Sequence, residues 1–347
     1  MEEFNLEKII RANVKAMKSY SSARDEFTST NQNLVFLDAN ENPFETGVNR
    51  YPDPKQVSLK QVLAKQKKVA EASILIGNGS DEVLDLIFRA FCEPKEDNVI
   101  TLPPTYGMYG VLAQLNAVEN REVFLTAEFQ LNVDEILNQV TEQTKIIFFC
   151  SPNNPTGNSF SRESIEKIIN EFQGLVVIDE AYIDFATQES WLTQLENYPN
   201  LIITQTLSKA YGLAGIRIGV LYASPDIIAV LNKIKPPYNV NSLSQTQAIL
   251  SLNESNKLKE EVAALTSLRA LLQEELPKLS YVEKVFPTDS NFILIRVDDA
   301  NVRYQQLLSQ GIVVRNRTND PLCKNCLRIT IGTPEETDKL LTILKEL

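Results

Sequence analysis

The chain has 347 residues, with a hydrophobic fraction of 43% and a charged fraction of 23%, enough for one large domain and a smaller companion, each with a buried core. Its 34 basic and 45 acidic side chains give a formal charge of −11, a surface that repels phosphate backbones and argues against nucleic acid as a partner. There is no histidine, which removes histidine triads, imidazole acid–base chemistry and histidine-ligated metals, and leaves proton transfer to Lys, Tyr, Cys or carboxylates.

The opening residues have no secretory core, and no apolar run reaches the roughly 20 residues of a membrane span. Four cysteines in a chain of this length do not read as a disulfide framework. The expectation is a cytoplasmic protein with reduced thiols. Residues 1–45 hold no clear strand apart from Leu34–Leu37, and are expected to form an arm that packs on a second, smaller domain.

From about Ser73 to Ser224, short β-rich runs alternate with amphipathic stretches. The runs are Ile74–Ile76, Asn98–Leu102, Glu122–Leu125, Lys145–Cys150, Leu175–Ile178, Leu201–Thr204 and Ile216–Leu221. Helical patterns lie between several of them, as at Asp81–Phe91 and Arg162–Phe172. Continuous apolar strands alternating with helices predict an α/β fold with a mostly parallel central sheet covered on both faces. Ser244 to Leu276 reads as one or two long helices. Short strands follow at Val282–Phe286, Asn291–Val297, Ile312–Arg315 and Leu327–Ile331, an α+β pattern. The expected division is an arm with part of the small domain over 1–45, a large domain over 46–240 and a small domain over 241–347.

Four segments carry chemistry, each at the C-terminal end of a predicted strand, where doubly wound sheets place ligands. Leu75-Ile-Gly77-Asn-Gly79-Ser80-Asp81-Glu82 joins a strand to a helix through a glycine-rich loop whose N–H groups suit a phosphate. It is neither a dinucleotide fingerprint nor a P-loop, since the third glycine and the GK[ST] are missing. Phe149-Cys-Ser-Pro-Asn153-Asn154-Pro-Thr-Gly157 fixes a restricted turn with amide donors. Val176-Val-Ile-Asp179-Glu-Ala-Tyr182 puts a carboxylate at a strand end, where burial would demand a cationic partner; it reads equally as a helix cap. In Thr206-Leu-Ser208-Lys209-Ala-Tyr-Gly-Leu-Ala-Gly-Ile-Arg217, a lysine follows a strand, with hydroxyls and an arginine nearby, the setting of a Schiff-base amine. On residue types alone it is more simply a surface lysine in a loop.

Their order resembles that of the fold-type I pyridoxal-phosphate aminotransferases, through SPNNPTG, DEAY and SKA-x-G-L-A-G-x-R. Within these, Tyr20-Ser-Ser-Ala-Arg24, Arg50-Tyr51-Pro-Asp-Pro54 and Pro103-Pro-Thr-Tyr106-Gly-Met-Tyr109 resemble the histidinol-phosphate aminotransferase family, nearly end to end. The resemblance implies pyridoxal 5'-phosphate as cofactor and transamination of histidinol phosphate with 2-oxoglutarate to imidazole-acetol phosphate and glutamate, in histidine biosynthesis. It implies that Lys209 bonds the cofactor and moves the proton. Asp179 pairs with the pyridine nitrogen, Tyr182 and Asn154 hold the ring oxygen, and Tyr106 stacks on the ring. Thr206, Ser208, Arg217 and the amides of Ser80 and Asp81 hold the phosphate, with Tyr51 reaching it from a neighbouring subunit of a homodimer. Tyr20, Asn154, Arg315 and Arg328 bind substrate, and no metal takes part. Rival readings on the same fold are an aromatic-amino-acid aminotransferase, a threonine-phosphate decarboxylase and a non-catalytic cofactor-sensing regulator. Cys323 and Cys326 are expected to be loop residues, too few ligands for zinc, and Cys92 and Cys150 to be core.

Overall fold

The computed structural model describes residues 4–18 and 35–347. Seven strands build the larger sheet: β1 (Ile74–Asn78), β2 (Asn98–Thr101), β3 (Glu119–Glu122), β4 (Thr144–Cys150), β5 (Leu175–Asp179), β6 (Leu201–Thr206) and β7 (Ile218–Ala223). Their spatial order is β1-β7-β6-β5-β4-β2-β3. Neighbours from β6 through β3 pair in parallel, whereas β7 runs antiparallel to both β6 and β1. The sheet is buried on both faces, and alternate side chains of one strand enter different cores. Ile147, Phe149, Val176 and Ile178 face one, and Ile146, Phe148, Leu175 and Val177 face the other. That two-sided burial is why these strands read as unbroken apolar runs.

A smaller antiparallel sheet has the order β10-β11-β9-β8, from β8 (Val282–Val285), β9 (Phe292–Val297), β10 (Arg315–Asn316) and β11 (Cys326–Thr330). The helices Ser255–Glu275, Ala300–Ser309 and Pro334–Glu346 flank it in sequence, and its core joins Ile293, Ile295, Leu327 and Ile329 to Leu272, Leu307 and Leu340. The stretch expected as one or two helices is two, Ser242–Leu252 and Ser255–Glu275.

Several sequence expectations shift. The strand expected at Glu122–Leu125 lies earlier, because β3 pairs in register with β2. The ladder ends near Pro103 and Pro104, which have no N–H to extend it. Val123 and Leu125 still donate to the carbonyls of Thr101 and Pro103, but as a buried loop. The strand expected at Ile216–Leu221 starts at Ile218, since Ala214–Ile216 forms a short helical turn and Arg217 takes a left-handed φ of 55°. The strand expected at Ile312–Arg315 begins only at Arg315, because the Ile312 N–H still bonds Leu307 at the end of a helix. Of Leu34–Leu37, Leu34 lies outside the described residues, and Val35–Leu37 is exposed and not in strand conformation.

The described start of the arm also packs elsewhere than expected. Ile9 and Val14 are buried in the core formed with the helices Ser80–Phe91 and Pro225–Ile234 of the larger sheet. Arg11 fastens it there by donating to the Arg89 carbonyl at 3.0 Å and pairing with Glu93 at 3.2 Å. Its apolar side chains complete the large core, so it has no reason to cross to the small sheet.

Candidate active site

One cavity of about 770 Å³ opens where the C-terminal ends of the parallel strands meet the small sheet. Ser80, Asp81, Tyr106, Asn154, Asp179, Tyr182, Thr206, Ser208, Lys209, Arg217, Arg315 and Arg328 all line it. The four segments singled out in the sequence therefore converge in space. Two other expected residues do not join them. Tyr51 lies half-exposed in a second hollow, stacked on Tyr238 at 4.5 Å, and Tyr20 lies outside the described residues.

Asp179 closes β5 and is buried. Its Oδ2 accepts from the Tyr109 hydroxyl at 2.9 Å and its Oδ1 from the Ala181 N–H at 3.1 Å. Among the described residues, no lysine or arginine forms an ion pair with it. Burial pushes its pKa up from 3.8 to about 6. A buried carboxylate in this state calls for a cation in the cavity, and a protonated pyridine nitrogen meets that need. Lys209 lies just past β6, its Nζ 5.6 Å from the centre of the Tyr182 ring. Burial lowers its pKa, and the nearby Arg328 and Arg217 charges lower it further against the pull of Asp179. Burial raises the pKa of Tyr182 above its ordinary value, keeping the hydroxyl protonated.

A second corner fits a phosphate. The helix Ser80–Phe91 starts here with its free N–H groups directed outward. Gly219 and Gly79 keep the corner open. A Cβ at Gly219 would stand 2.3 Å from the Ser80 nitrogen, and one at Gly79 would stand 2.5 Å from Arg217 Nη2. Arg217 reaches Asp81 at 3.7 Å, and the Thr206 hydroxyl accepts from the Ser208 N–H at 3.1 Å. The residues present fit pyridoxal phosphate at both ends.

The far wall is cationic. Arg315 and Arg328 face each other across the β10–β11 ladder, and Arg317 joins them in the cavity lining. Arg328 donates through Nη1 to Asn154 Oδ1, lies 5.1 Å over the Phe292 ring, and leaves its buried Nε without an acceptor. Burial lowers its pKa, and Arg317 and Arg315 lower it further. Crowded guanidinium groups with spare donors are a receptor for an anion such as a carboxylate or phosphate.

Sequence reasoning missed Arg317 and Tyr109. The alternation Arg315-Asn-Arg317 carries the first, since strand residues two apart share a face. The second sits three residues after Tyr106, at helical spacing, on the helix Met108–Leu115. Asn153, by contrast, serves structure. Buried, it donates to the Pro104 carbonyl and to Thr156 and accepts from Thr105, tying two loops together. The four cysteines are free and buried.

The family model for aminotransferase class I and II matches residues 31–344. The chain belongs to that aminotransferase family. Within it, the chain is 62% identical over 346 residues to a histidinol-phosphate aminotransferase of Flavobacterium johnsoniae, covering 99% of both chains. It is 53% identical to one from Bacteroides fragilis, over 98% of this chain and 99% of that one. A solved histidinol-phosphate aminotransferase of Sinorhizobium meliloti, in complex with pyridoxal-5'-phosphate, superposes with a TM-score of 0.78 at 26% identity, covering 86% of this chain and 82% of that chain. An L-threonine-O-3-phosphate decarboxylase of Porphyromonas gingivalis shares the fold at a TM-score of 0.73 and 23% identity, covering 86% of this chain and 90% of that one. The aminotransferase family depends on pyridoxal phosphate. No helix among the described residues is long and apolar enough to cross a membrane.

Proposed function

We propose that this aminotransferase moves the amino group of histidinol phosphate to 2-oxoglutarate, giving imidazole-acetol phosphate and glutamate, with residues in the roles below. The observation that carries the reading is a single cavity in which a buried Asp179 with no ion-pair partner among the described residues, a depressed Lys209 amine and four arginines meet. The full-length similarity to histidinol-phosphate aminotransferases supports this substrate over the decarboxylase and aromatic rivals.

Pyridoxal phosphate, when bound, supplies an electron sink that acidifies the substrate Cα–H. Asp179 holds the proton on the pyridine nitrogen through its buried carboxylate, itself fixed by Tyr109. Tyr182 and Asn154 offer donors to the ring oxygen, and Tyr106 covers the ring. Thr206, Ser208, Arg217 and the N–H groups of Ser80 and Asp81 hold the phosphate. Lys209 anchors the cofactor and then, as a free amine, takes the Cα proton. Its pKa, lowered by burial and by Arg328, makes the free amine easier to reach. Arg328 binds the carboxylate of the dicarboxylic partner, and with Arg315 and Tyr20 binds the phosphate of the amine substrate.

Tyr51 does not line the cavity of its own chain. It sits among exposed apolar side chains, including Val48 and Leu243. We assign it to the phosphate of a second subunit, making the enzyme a homodimer with shared sites. The free cysteines suit a reducing cytoplasm. The division at 46–240 and 241–347 remains our assignment of the two domains.

The test is an absorption titration of purified protein with histidinol phosphate in the absence of 2-oxoglutarate. The visible band of bound cofactor should be lost as amino groups transfer, and the band should be missing in Lys209→Ala. A band that ignores histidinol phosphate but responds to phenylalanine would overturn the substrate assignment.

A further inference from the structure

The helix Val57–Lys67 ends in a lysine whose largely buried amine pairs with Asp184. Lys67 Nζ lies 3.6 Å from Asp184 Oδ1, with 18% and 23% of the two side chains exposed. The same amine lies 6.0 Å from the centre of the Tyr211 ring, whose hydroxyl is one of its electrostatic neighbours. Glu180 and Tyr222, both buried, are its further electrostatic neighbours. Burial pulls the Lys67 pKa down, but Asp184, Tyr211, Tyr222 and Glu180 more than reverse it, so the group stays a cation.

Each partner on the two loops stands next to a residue of the cavity. Glu180 follows Asp179, Asp184 comes two residues after Tyr182, and Tyr211 comes two residues after Lys209. These partners sit on two loops, one after β5 and one after β6. Within the first, Ile183 N–H bonds Glu180 C=O and Phe185 N–H bonds Tyr182 C=O, both at 3.1 Å. Within the second, Gly212 N–H bonds Lys209 C=O at 3.1 Å and Leu213 N–H bonds Leu207 C=O at 3.0 Å. None of these four bonds joins one loop to the other. The loops also meet directly, since Tyr182 and Phe185 pack with Ala210 and Tyr211, Lys209 Nζ lies 5.6 Å from the Tyr182 ring, and Gln205 donates to Glu180 at 2.9 Å. The Lys67 cation adds a charged link, with Asp184 on one side and the Tyr211 ring on the other.

We propose that Lys67 is a positioning residue, whose buried ammonium clamps the loop of Tyr182 to the loop of Lys209 and so fixes these two side chains relative to each other. The proposal rests on the roles assigned above to Lys209 and Tyr182. An ion pair that merely stabilised the fold would lower stability everywhere when broken. A clamp acts on two loops and on turnover.

The test compares Lys67→Met and Lys67→Arg with the parent. In cofactor-free protein, amide hydrogen exchange over residues 181–186 and 209–213 should quicken about tenfold or more in Lys67→Met, while β4 and the small sheet keep their rates. In the loaded enzyme, kcat should fall by about tenfold to 100-fold with KM nearly unchanged, because the arginines that bind substrate are untouched. The pH at which the visible band changes should move as well, and Lys67→Arg should recover most of each effect. Uniform quickening across the chain, or unchanged kcat despite faster loop exchange, would overturn the proposal. Failure of the underlying reading has a different signature: a visible band and turnover that survive Lys209→Ala, with the exchange result intact.

Discussion

Replacing Asp179 by Asn in the cofactor-free protein tests the electrostatics of the site through stability alone. Burial pushes this carboxyl from 3.8 to about 6. The folded state therefore keeps a proton that the unfolded chain releases at lower pH. Between the two values the unfolded state binds fewer protons, so folding stability falls as pH rises. At about 1.4 kcal/mol per pH unit, the ionised carboxylate costs the fold about 3 kcal/mol above about pH 6, and almost nothing below about pH 4. Asparagine does not ionise. The stability of Asp179→Asn relative to the parent should then improve by about 3 kcal/mol between about pH 4 and pH 7. Any cost of burying the new amide, about 1–3 kcal/mol, is the same at both ends and leaves this slope intact. Urea unfolding at a series of pH values reads the difference. A difference constant within about 0.5 kcal/mol would refute the desolvation argument. Pyridoxal phosphate should then stabilise the parent at neutral pH far more than the variant, because only the parent offers an anion to the pyridine nitrogen.

Other positions give sharper local tests. Tyr109→Phe removes the 2.9 Å donor to Asp179 and should weaken cofactor binding about tenfold, measured as a spectrophotometric Kd; an unchanged Kd would deny Tyr109 its role. Gly219→Ala drives a Cβ to within 2.3 Å of the Ser80 nitrogen, against backbone that has no side chain to move aside. It should lower thermal stability by about 1–3 kcal/mol and cut phosphate affinity, and a fully stable variant with normal binding would show that the corner is not tight. Arg328→Gln should raise KM for 2-oxoglutarate about tenfold to 100-fold, and added salt should raise the parent's KM more than the variant's. Equal salt dependence in the two would mean that Arg328 does not meet the anion.

The fold was legible where local physics is sufficient. Strands such as Lys145–Cys150 and Leu175–Ile178 announce themselves, because burial on both faces demands an unbroken apolar run. Their chemistry-bearing residues sit at one end of each strand, so convergence followed from a parallel sheet. The reversal of β7 was not legible, because direction depends on the path of the chain and leaves no trace in a run such as Ile218–Ala223. The edge strand Glu119–Glu122 is polar and half-exposed, and its pairing with β2 fixes it more than its composition does. Lys67 was invisible for a related reason. Its meaning lies in partners over 100 residues away, Asp184 and Tyr211.

The missing histidine and the acidic surface meet in one electrostatic arrangement. With no imidazole in the chain, the proton transfer at Cα that we assign to Lys209 rests on an amine that, at its ordinary pKa, would be protonated at neutral pH. Burial first, then Arg328 and Arg217, lower that pKa. The arginines that would receive the anions of cofactor and substrate thus also help to free the amine. The coupling has a direction. An anion seated on Arg328 cancels part of its repulsion, so the affinity of Lys209 for a proton rises once substrate is bound. Lys209 becomes a stronger base at the moment when there is a proton to take, and an acidic protein confines this basic cluster to the one cavity where anions have work to do.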